Sequence, residues 1–393
     1  MNPRPAGPPT LRRHNLGLVL AALRATGGAS RAELAARTGL TRATVATLVE
    51  PLLGAGVLAE DAATPRGVGR PSRAVRFAAG GPVALGVAVD VDALAVCAVG
   101  LDGVVRAHRR HARDHRALTP ATVFDGAAAL VREVRADARV LGVGLALPAL
   151  LSAASGAADG ADDAPGRPAG ADSPVVLRAP NLPRLDGCRP GDALAERLGC
   201  PVTVDNEATL GALAHLDVAP DLVYVSAGIG VGGGLVLDGR VYRGARGLAG
   251  ELGHVVVDRA GPACGCGGRG CVERYAGTAA VLADAGAADL DALVAALAEG
   301  DGRAAAATTR AAAALGAGLA SVLNVLDVPV VVLGGTFARL ASAVEPALRA
   351  ELAARALAPA RVLASDHGDD AAVRGAAESV LDAVQRDPDR LLA

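Results

Sequence analysis

The chain has 393 residues, 2% aromatics, no Trp and no Lys, so its 39 basic residues are all Arg. Such a length predicts two or three domains, with interiors filled by Ala, Gly, Val and Leu in place of aromatic rings. The formal charge of −2 hides an asymmetry: residues 1–80 carry eleven Arg against Glu33, Glu50, Glu60 and Asp61, a net +7 that leaves about −9 for the rest. Pro and Arg stand where a signal peptide would be apolar, and no stretch offers about 18 uninterrupted apolar residues. These features exclude a membrane-spanning reading and predict a soluble cytoplasmic protein with no membrane partner. In that compartment the six Cys predict thiols or metal ligands rather than disulfides.

A basic head on an acidic body points to a nucleic-acid module joined to something with another task. The head opens with "LRRHNLGLVLAALRATGG", which sets Leu16, Leu18, Val19, Leu20 and Leu23 at helical spacing and stops at Gly27-Gly28. "SRAELAARTGL" follows, with Ser30 and Glu33 in capping-box spacing and Gly39 at its end. "TRATVATLVEPLLGAGVL" then begins with Thr41 as N-cap and keeps Val45, Leu48, Val49, Leu52 and Leu53 on one face, although Pro51 should kink or end this helix nearby. Two short helices joined by Thr-Gly-Leu predict a helix-turn-helix, the second entering a major groove with Thr41, Arg42, Thr44 and Thr47 near bases or phosphates and Arg31 close by. "GVLAEDAATPRGVGRPSRAVRF" predicts a wing, whose tip offers Arg66, Arg70 and Arg73 to the minor groove or the phosphates.

From Val83 the periodicity becomes that of an α/β body. "VALGVAVDVDALAVCAVGLDGVVRAHRR" predicts two or three strands with a turn at Asp102-Gly103, "TPATVFDGAAALVREVRAD" a helix, and "VLGVGLALPA" a strand. Residues 151–174 lack periodicity and predict a loop. Further on, "VTVDNEATLGALAHL" runs from a strand into a helix with Asp205, Asn206 and Glu207 at the junction. "LVYVSAGIGVGGGLVLDGRVYRG" is a strand, a glycine-rich turn from Gly228 to Gly234 and a strand, and "VPVVVLGGTF" is a buried strand ending in Gly334-Gly335. Glycine turns after strands admit phosphates, but alone they are often only tight turns.

Between these lies "GELGHVVVDRAGPACGCGGRGC", which gathers one His and three Cys into a short glycine-rich run. Disulfide knot, redox switch and metal site are all open to such a cluster taken alone. In their order these stretches resemble the ROK family, which comprises bacterial sugar kinases and sugar-responsive repressors, from about residue 11 onward. The most specific part is Glu251-x-x-His254, Cys264-x-Cys266, Cys271 and Glu273. The resemblance implies a two-lobed body of the actin/hexokinase (ribonuclease H-like) type behind a winged helix-turn-helix. Residues 1–80 would be the DNA-binding domain with its wing and linker and 81–204 the first lobe. Residues 205–393 would form the second lobe with the cysteine loop, its C-terminal helix returning to the first.

The resemblance further implies a structural zinc, one per chain, on His254, Cys264, Cys266 and Cys271, a donor set of the number and softness that tetrahedral zinc takes. It implies a sugar pocket of Asn206, Glu207, Glu251, His254 and Glu273, groups able to accept and donate to a polyol. Two departures count against kinase activity. Glu207 stands where active members have the catalytic Asp, and the phosphate loop Asp-x-Gly-Gly-Thr is replaced by Ala88, Asp90, Val91 and Asp92, side chains that block and repel a nucleotide. The expectation is therefore a sugar-responsive repressor, without enzymatic activity or ATP, binding operator DNA as a homodimer or higher oligomer. A sugar kinase with an attached DNA-binding domain and a ligand-free dimerisation scaffold remain as rivals.

Overall fold

Helix α1 (Pro8–Thr26) ends where Gly27 adopts φ +68° and its N–H closes on the Leu23 carbonyl. The computed structural model describes residues 8–61, 73–152 and 173–392. A two-residue strand, β1 (Ala29–Ser30), leads into α2 (Arg31–Thr38), which starts on a complete capping box: the Ser30 hydroxyl accepts from the Glu33 N–H, and the Glu33 carboxylate accepts from the Ser30 N–H. Gly39 closes α2 at φ +71° and Thr41 caps α3 (Arg42–Gly54) through the Thr44 N–H, completing the helix-turn-helix. Pro51 lies in the last turn of α3, where its missing N–H weakens an end rather than kinking the middle. Strands β2 (Leu58–Glu60) and β3 (Ala74–Phe77) pair antiparallel with β1 on the other edge of β3, which gives the wing its base. Leu16, Leu23, Leu34, Val45, Val49, Leu52 and Val75 are buried together, and Val384 and Leu391 from the far end of the chain join them.

The body begins with an antiparallel meander of β4 (Val83–Val89), β5 (Ala93–Gly100) and β6 (Val105–Ala112), followed by α4 (Pro120–Arg135) and β7 (Val140–Leu147). An arm of β8 (Leu150–Leu151) and β9 (Val176–Arg178), helix α5 (Pro190–Leu198) and β10 (Val202–Asn206) complete the first lobe. The sheet order is β10-β7-β4-β5-β6, with β7 parallel to β4 and β10 parallel to β7. β10 stays paired with β7 through Asn206, so the first sheet runs past residue 204, the boundary expected from the sequence. Against this sheet α4 buries Val123, Phe124, Leu130 and Val131, each contributing about 1.5–3 kcal/mol of transfer free energy.

The second lobe repeats this plan. Helix α6 (Glu207–Leu213) precedes β11 (Leu222–Ala227), β12 (Val231–Leu237) and β13 (Arg240–Tyr242). Next come α7 (Glu273–Ala276), α8 (Thr278–Ala285), α9 (Leu290–Ala298), α10 (Gly302–Leu326) and β14 (Val330–Gly334). The chain closes with α11 (Gly335–Arg339), α12 (Ala341–Arg355), β15 (Arg361–Ala364) and α13 (Ala371–Arg386). The order β13-β12-β11-β14-β15 again sets three antiparallel strands beside two parallel ones. Helix α10 is long and apolar enough to cross a membrane by composition, but its Ala304, Ala311, Leu315 and Leu319 are buried in the second lobe's core.

Helix α13 leaves the second lobe and packs on β4, β5 and β7, α6 packs on β11 and β12, and the two helices pack on each other between the sheets. Glycine sets that spacing. A Cβ at Gly86 or Gly144 would collide with the Val373 or Ala376 carbonyl of α13, and one at Gly375 with the Leu210 carbonyl of α6. At its other end α13 meets the head, where the Arg24 guanidinium pairs with the largely buried Glu378 at 2.5 Å.

Candidate functional site

Strand β12 carries three consecutive glycines, Gly232 to Gly234, and positions both walls of the site. Side chains alternate across a strand, so Gly232 faces α6 and Gly233 faces away. A Cβ at Gly232 would lie 3.0 Å from Ala208, and one at Gly233 would lie 2.5 Å from the Gly250 carbonyl and from Leu252. The missing side chains thus let the start of α6 and the 250–254 turn approach one strand from opposite faces.

Asn206 is the N-cap of α6: its Oδ1 accepts from the Ala208 and Thr209 N–H groups, and its Nδ2 donates to the Ala149 carbonyl at 3.1 Å. One Nδ2 hydrogen is left for a ligand. Glu207 is half-buried. Burial first, then the charge of Asp90, push its carboxyl up to about 8, overriding the helix start that ordinarily favours a carboxylate. Between pH 4.5 and 8 the folded chain therefore holds a proton that the unfolded chain has released, and stability falls as pH rises through this window. Glu207→Gln should remove that contribution to the slope and raise stability more at pH 8 than at pH 5, read as melting temperature against pH. An unchanged slope in the variant would refute the assignment.

On the other wall Glu251, His254 and Glu273 are half-buried and adjacent. His254 points Nε2 at the Glu251 carboxylate, 3.9 Å away, and Nδ1 at Cys264 Sγ, 3.7 Å away. Burial raises the Glu251 carboxyl, and the neighbouring His254 partly offsets it. Glu273 reaches the Val231 N–H at the mouth of the glycine turn with one oxygen and faces Cys264 Sγ with the other.

The donor atoms of His254, Cys264, Cys266 and Cys271 all lie within 4.8 Å of one another. Cys266 and Cys271 Sγ are 3.7 Å apart, too far for a disulfide. Tetrahedral zinc with bonds of about 2.3 Å to sulfur and 2.05 Å to nitrogen needs S···S and S···N separations of about 3.8 and 3.6 Å. The observed 3.7 Å contacts fit both. The loop's shape needs its glycines: Gly267 takes φ +94° as its N–H closes on the Cys264 carbonyl, and Gly270 takes φ +66° where any Cβ would strike the Asp258 carbonyl. Bridges Val256 to Cys271 and Ala263 to Arg269 pin its base.

The β4–β5 turn, Asp90-Val91-Asp92, is closed to an anion. Asp90 Oδ1 accepts from the Val91 N–H at 2.6 Å, and the Asp90 N–H is bonded to the Ala93 carbonyl. The His115 and Arg113 N–H groups hold the Val91 and Asp92 carbonyls. Burial raises the Asp90 carboxyl, with Asp92 and Asp369 adding to the effect. At Gly334-Gly335 an added Cβ would meet the Tyr224 ring and the Ala227 carbonyl, so packing alone requires glycine at both positions.

In the head, Thr41, Arg42 and Thr47 are exposed along α3 and Thr44 is half-buried. Thr41 and Thr44 share a hydroxyl contact of 2.9 Å, and Thr47 donates to the Ala43 carbonyl. Arg31 turns inward to Glu60 at 2.5 Å with Glu50 at 3.7 Å, which ties α2 to the wing strand, and Arg73 joins Glu60 at 3.3 Å. The Arg31 pair pulls the Glu60 carboxyl below its ordinary range. Arg66 and Arg70 lie outside the described residues. Among the described residues, Arg37 and Arg42 are exposed head arginines with no carboxylate partner. Spacing gives no signal for Arg37, since one Arg at a helix end has no pattern of its own; the fold marks it by contrast with its paired neighbours.

A winged helix-turn-helix ahead of two α/β lobes of one topology, with a His/Cys loop at the cleft, defines a DNA-binding protein built on an actin/hexokinase-like body. Comparison with known proteins agrees: a profile described as winged helix-turn-helix DNA-binding matches residues 12–58, and the ROK family profile matches residues 84–383. The chain belongs to the ROK family. It is 28% identical over 292 residues to the xylose repressor of Caldicellulosiruptor bescii, an alignment spanning 69% of this chain and 66% of that one, just short of two thirds of the repressor. It is 29% identical over 262 residues to the N-acetylmannosamine kinase of Salmonella typhi, covering 64% of this chain and 82% of the kinase. A ROK family transcriptional regulator, a homolog of the E. coli MLC protein, superposes with a TM-score of 0.78 at 22% identity over 97% of this chain and 99% of that one, a likeness of fold.

Proposed function

We propose that the protein is a sugar-responsive transcriptional repressor of the cytoplasm that binds operator DNA as a dimer and releases it when a sugar closes the cleft. The observation that carries this reading is the Asp90 turn. Its own carboxylate occupies the Val91 N–H that a phosphate would need, while Asn206, Glu207, Glu251, His254 and Glu273, the groups that the family resemblance assigns to a polyol, are all present. Binding without phosphoryl transfer suits a sensor. Asp92 and Glu273 add carboxylates beside the pocket while the raised Glu207 carboxyl keeps its proton and can donate, a combination that favours a neutral sugar over a sugar phosphate. Zinc on the His254 and Cys loop would be structural, because all four of its positions are taken by protein donors and none is left for chemistry. It would fix His254 so that Nε2 faces the ligand side.

The path from cleft to head is supported by α6, α13 and α1. Asn206 and Glu207 begin α6, α6 touches α13 at Gly375, and Glu378 on α13 holds Arg24 of α1. A two-fold dimer would read a near-palindromic operator with half-sites one or two turns apart. For a hundredfold change in DNA affinity the sugar must favour the released arrangement by about 3 kcal/mol.

Thermal unfolding separates this reading from its rivals. At a hundred times its Kd a sugar should stabilise the protein by about 2.7 kcal/mol, and ATP with Mg²⁺ should leave it unmoved. Phosphoryl transfer to a hexose at ordinary enzyme rates would establish a kinase, and indifference to every sugar a scaffold. On DNA, Arg42→Ala should cost about 1–3 kcal/mol and relax specificity, whereas Arg37→Ala should weaken binding evenly and lower the salt slope by about 1. Unaltered operator affinity in both variants would remove α2 and α3 from the interface.

A further inference from the structure

Among the described residues, polar contacts that cross from one lobe to the other beside the candidate ligand site include one from Arg243 and one from Arg178. On one side the Arg243 guanidinium, just past β13, meets the Asp205 carboxylate at 2.7 Å. On the other, Arg178 at the end of β9 donates through Nη2 to the Gly265 carbonyl at 3.0 Å. Gly265 is the residue between Cys264 and Cys266, so a first-lobe arginine is bonded to the backbone of the metal loop itself.

The described strands of the arm that carries Arg178 are tied to each other and to the 187–188 turn by hydrogen bonds and start at the ligand wall. Arg178 is in register with Leu150, which follows Ala149, the residue whose carbonyl receives Asn206 Nδ2. The Ser152 N–H donates to the Val175 carbonyl, and the Val175 N–H returns to the Ser152 hydroxyl. The Gly187 N–H reaches the Val176 carbonyl, and the Val176 N–H reaches the Cys188 carbonyl. On the receiving side, the Cys264 N–H bonded to the Gly268 carbonyl and the Gly267 N–H bonded to the Cys264 carbonyl fix the direction of the loop. A guanidinium stays charged at any working pH, and a charge-assisted donor holds a carbonyl more strongly than a neutral one does.

We propose that Arg178 is a positioning residue of the ligand cleft: through the Gly265 carbonyl it holds the second lobe's metal loop against the Asn206 wall of the first lobe and governs how fast a bound sugar escapes. The ligand in this statement rests on the sugar-sensing reading, whereas the clasp is a property of the sugar-free chain. Arg178 acts through Gly265 and its effect is on closure.

Hydrogen–deuterium exchange on the full-length, zinc-loaded protein tests the clasp directly, comparing wild type with Arg178→Ala and Arg178→Lys, with and without D-xylose or D-glucose. Arg178→Ala should speed exchange in residues 174–179 and in residues 262–271, segments on opposite lobes, with α1, α13 and the metal content unchanged. Arg178→Lys, which keeps a charge on a shorter reach, should fall between. For whichever sugar binds, dissociation from Arg178→Ala should be about tenfold faster with little change in the association rate. A folded Arg178→Ala whose metal loop exchanges as in wild type would overturn the clasp, and an unchanged sugar dissociation rate would overturn its role in escape. If the two segments loosen together while wild type binds no sugar, the clasp stands and the sugar reading fails.

Discussion

Cys271→Ser should strip the protein of metal, from about one zinc per chain to a small fraction of that, and abolish any response to sugar while the head still binds DNA to within about twofold. Cys271 is the most deeply buried of the three thiols and has the loop base built around it. It bridges to Val256, and Cys266 Sγ lies 3.7 Å away. Burial pushes the Cys271 thiol up to about 12, so a nearby cation is needed to make its thiolate favourable. Serine is nearly isosteric but a poor zinc ligand, so the variant removes coordination with little change of packing. Without the metal, His254 Nδ1 loses its partner, and the orientation of Nε2 towards Glu251 is no longer fixed. The head shares no residue with this loop, which is why DNA binding should survive. Metal analysis of protein purified without chelator checks the first half, and a wild-type metal content in Cys271→Ser would contradict it.

Gly375→Ala should destabilise the protein by about 3 kcal/mol or more, an unusually large effect for one methyl group. The added Cβ would overlap the Leu210 carbonyl oxygen and lie 2.5 Å from the carbonyl carbon, and both belong to a helix backbone that cannot swing aside as a flexible side chain would. Relief requires α6 and α13 to separate. Helix α13 is held on its other face at Gly86 and Gly144, whose own missing side chains admit the Val373 and Ala376 carbonyls. The strain should therefore reach the first-lobe sheet and the site at the start of α6 together. Gly54→Ala is the control: Gly54 lies at the end of α3 with nothing within 4 Å of a Cβ, and it should change stability by less than about 1 kcal/mol. Urea unfolding of the two variants measures both, and equal midpoints would contradict the close-contact account.

The legible parts of this chain are those whose signal is local. Ser30 with Glu33, Thr41, Gly27 and Gly39 are cap and turn residues whose spacing defines helix ends, and all act as such. The strand ending before Gly228 follows from an apolar run broken by glycine and the β10–α6 junction from the polar Asp205-Asn206-Glu207, whereas Gly232 to Gly234, expected in the turn, lie inside β12 because their missing side chains serve close packing on both faces of that strand. The clustering of His254 with Cys264, Cys266 and Cys271 was visible because soft donors at short spacing have few other uses. What the sequence did not reveal depends on contacts between distant segments. Nothing in "RATGG" foretells that Arg24 pairs with Glu378, or that Val384 and Leu391 seal the core of the head. Arg31 reads as one more cation of a basic head until the fold brings Glu60 to it. Asn206, which the sequence places at a strand–helix junction and the resemblance places in the sugar pocket, caps α6 with one hydrogen to spare. The Asp90 substitution pointed to a blocked phosphate loop, but the carboxylate folding back onto the Val91 N–H is a detail of backbone geometry that spacing does not carry.

The central claim, a sugar sensor coupled to a DNA-binding head, is tested most directly by fluorescence anisotropy of the purified protein on the DNA immediately upstream of its own gene. The titration should be run at stated salt with pentoses, hexoses, amino sugars and their phosphates. The account predicts specific binding that one neutral sugar relieves by a hundredfold or so, with the corresponding sugar phosphates and ATP inert. Specific binding that no sugar alters, or that ATP alone relieves, would contradict it.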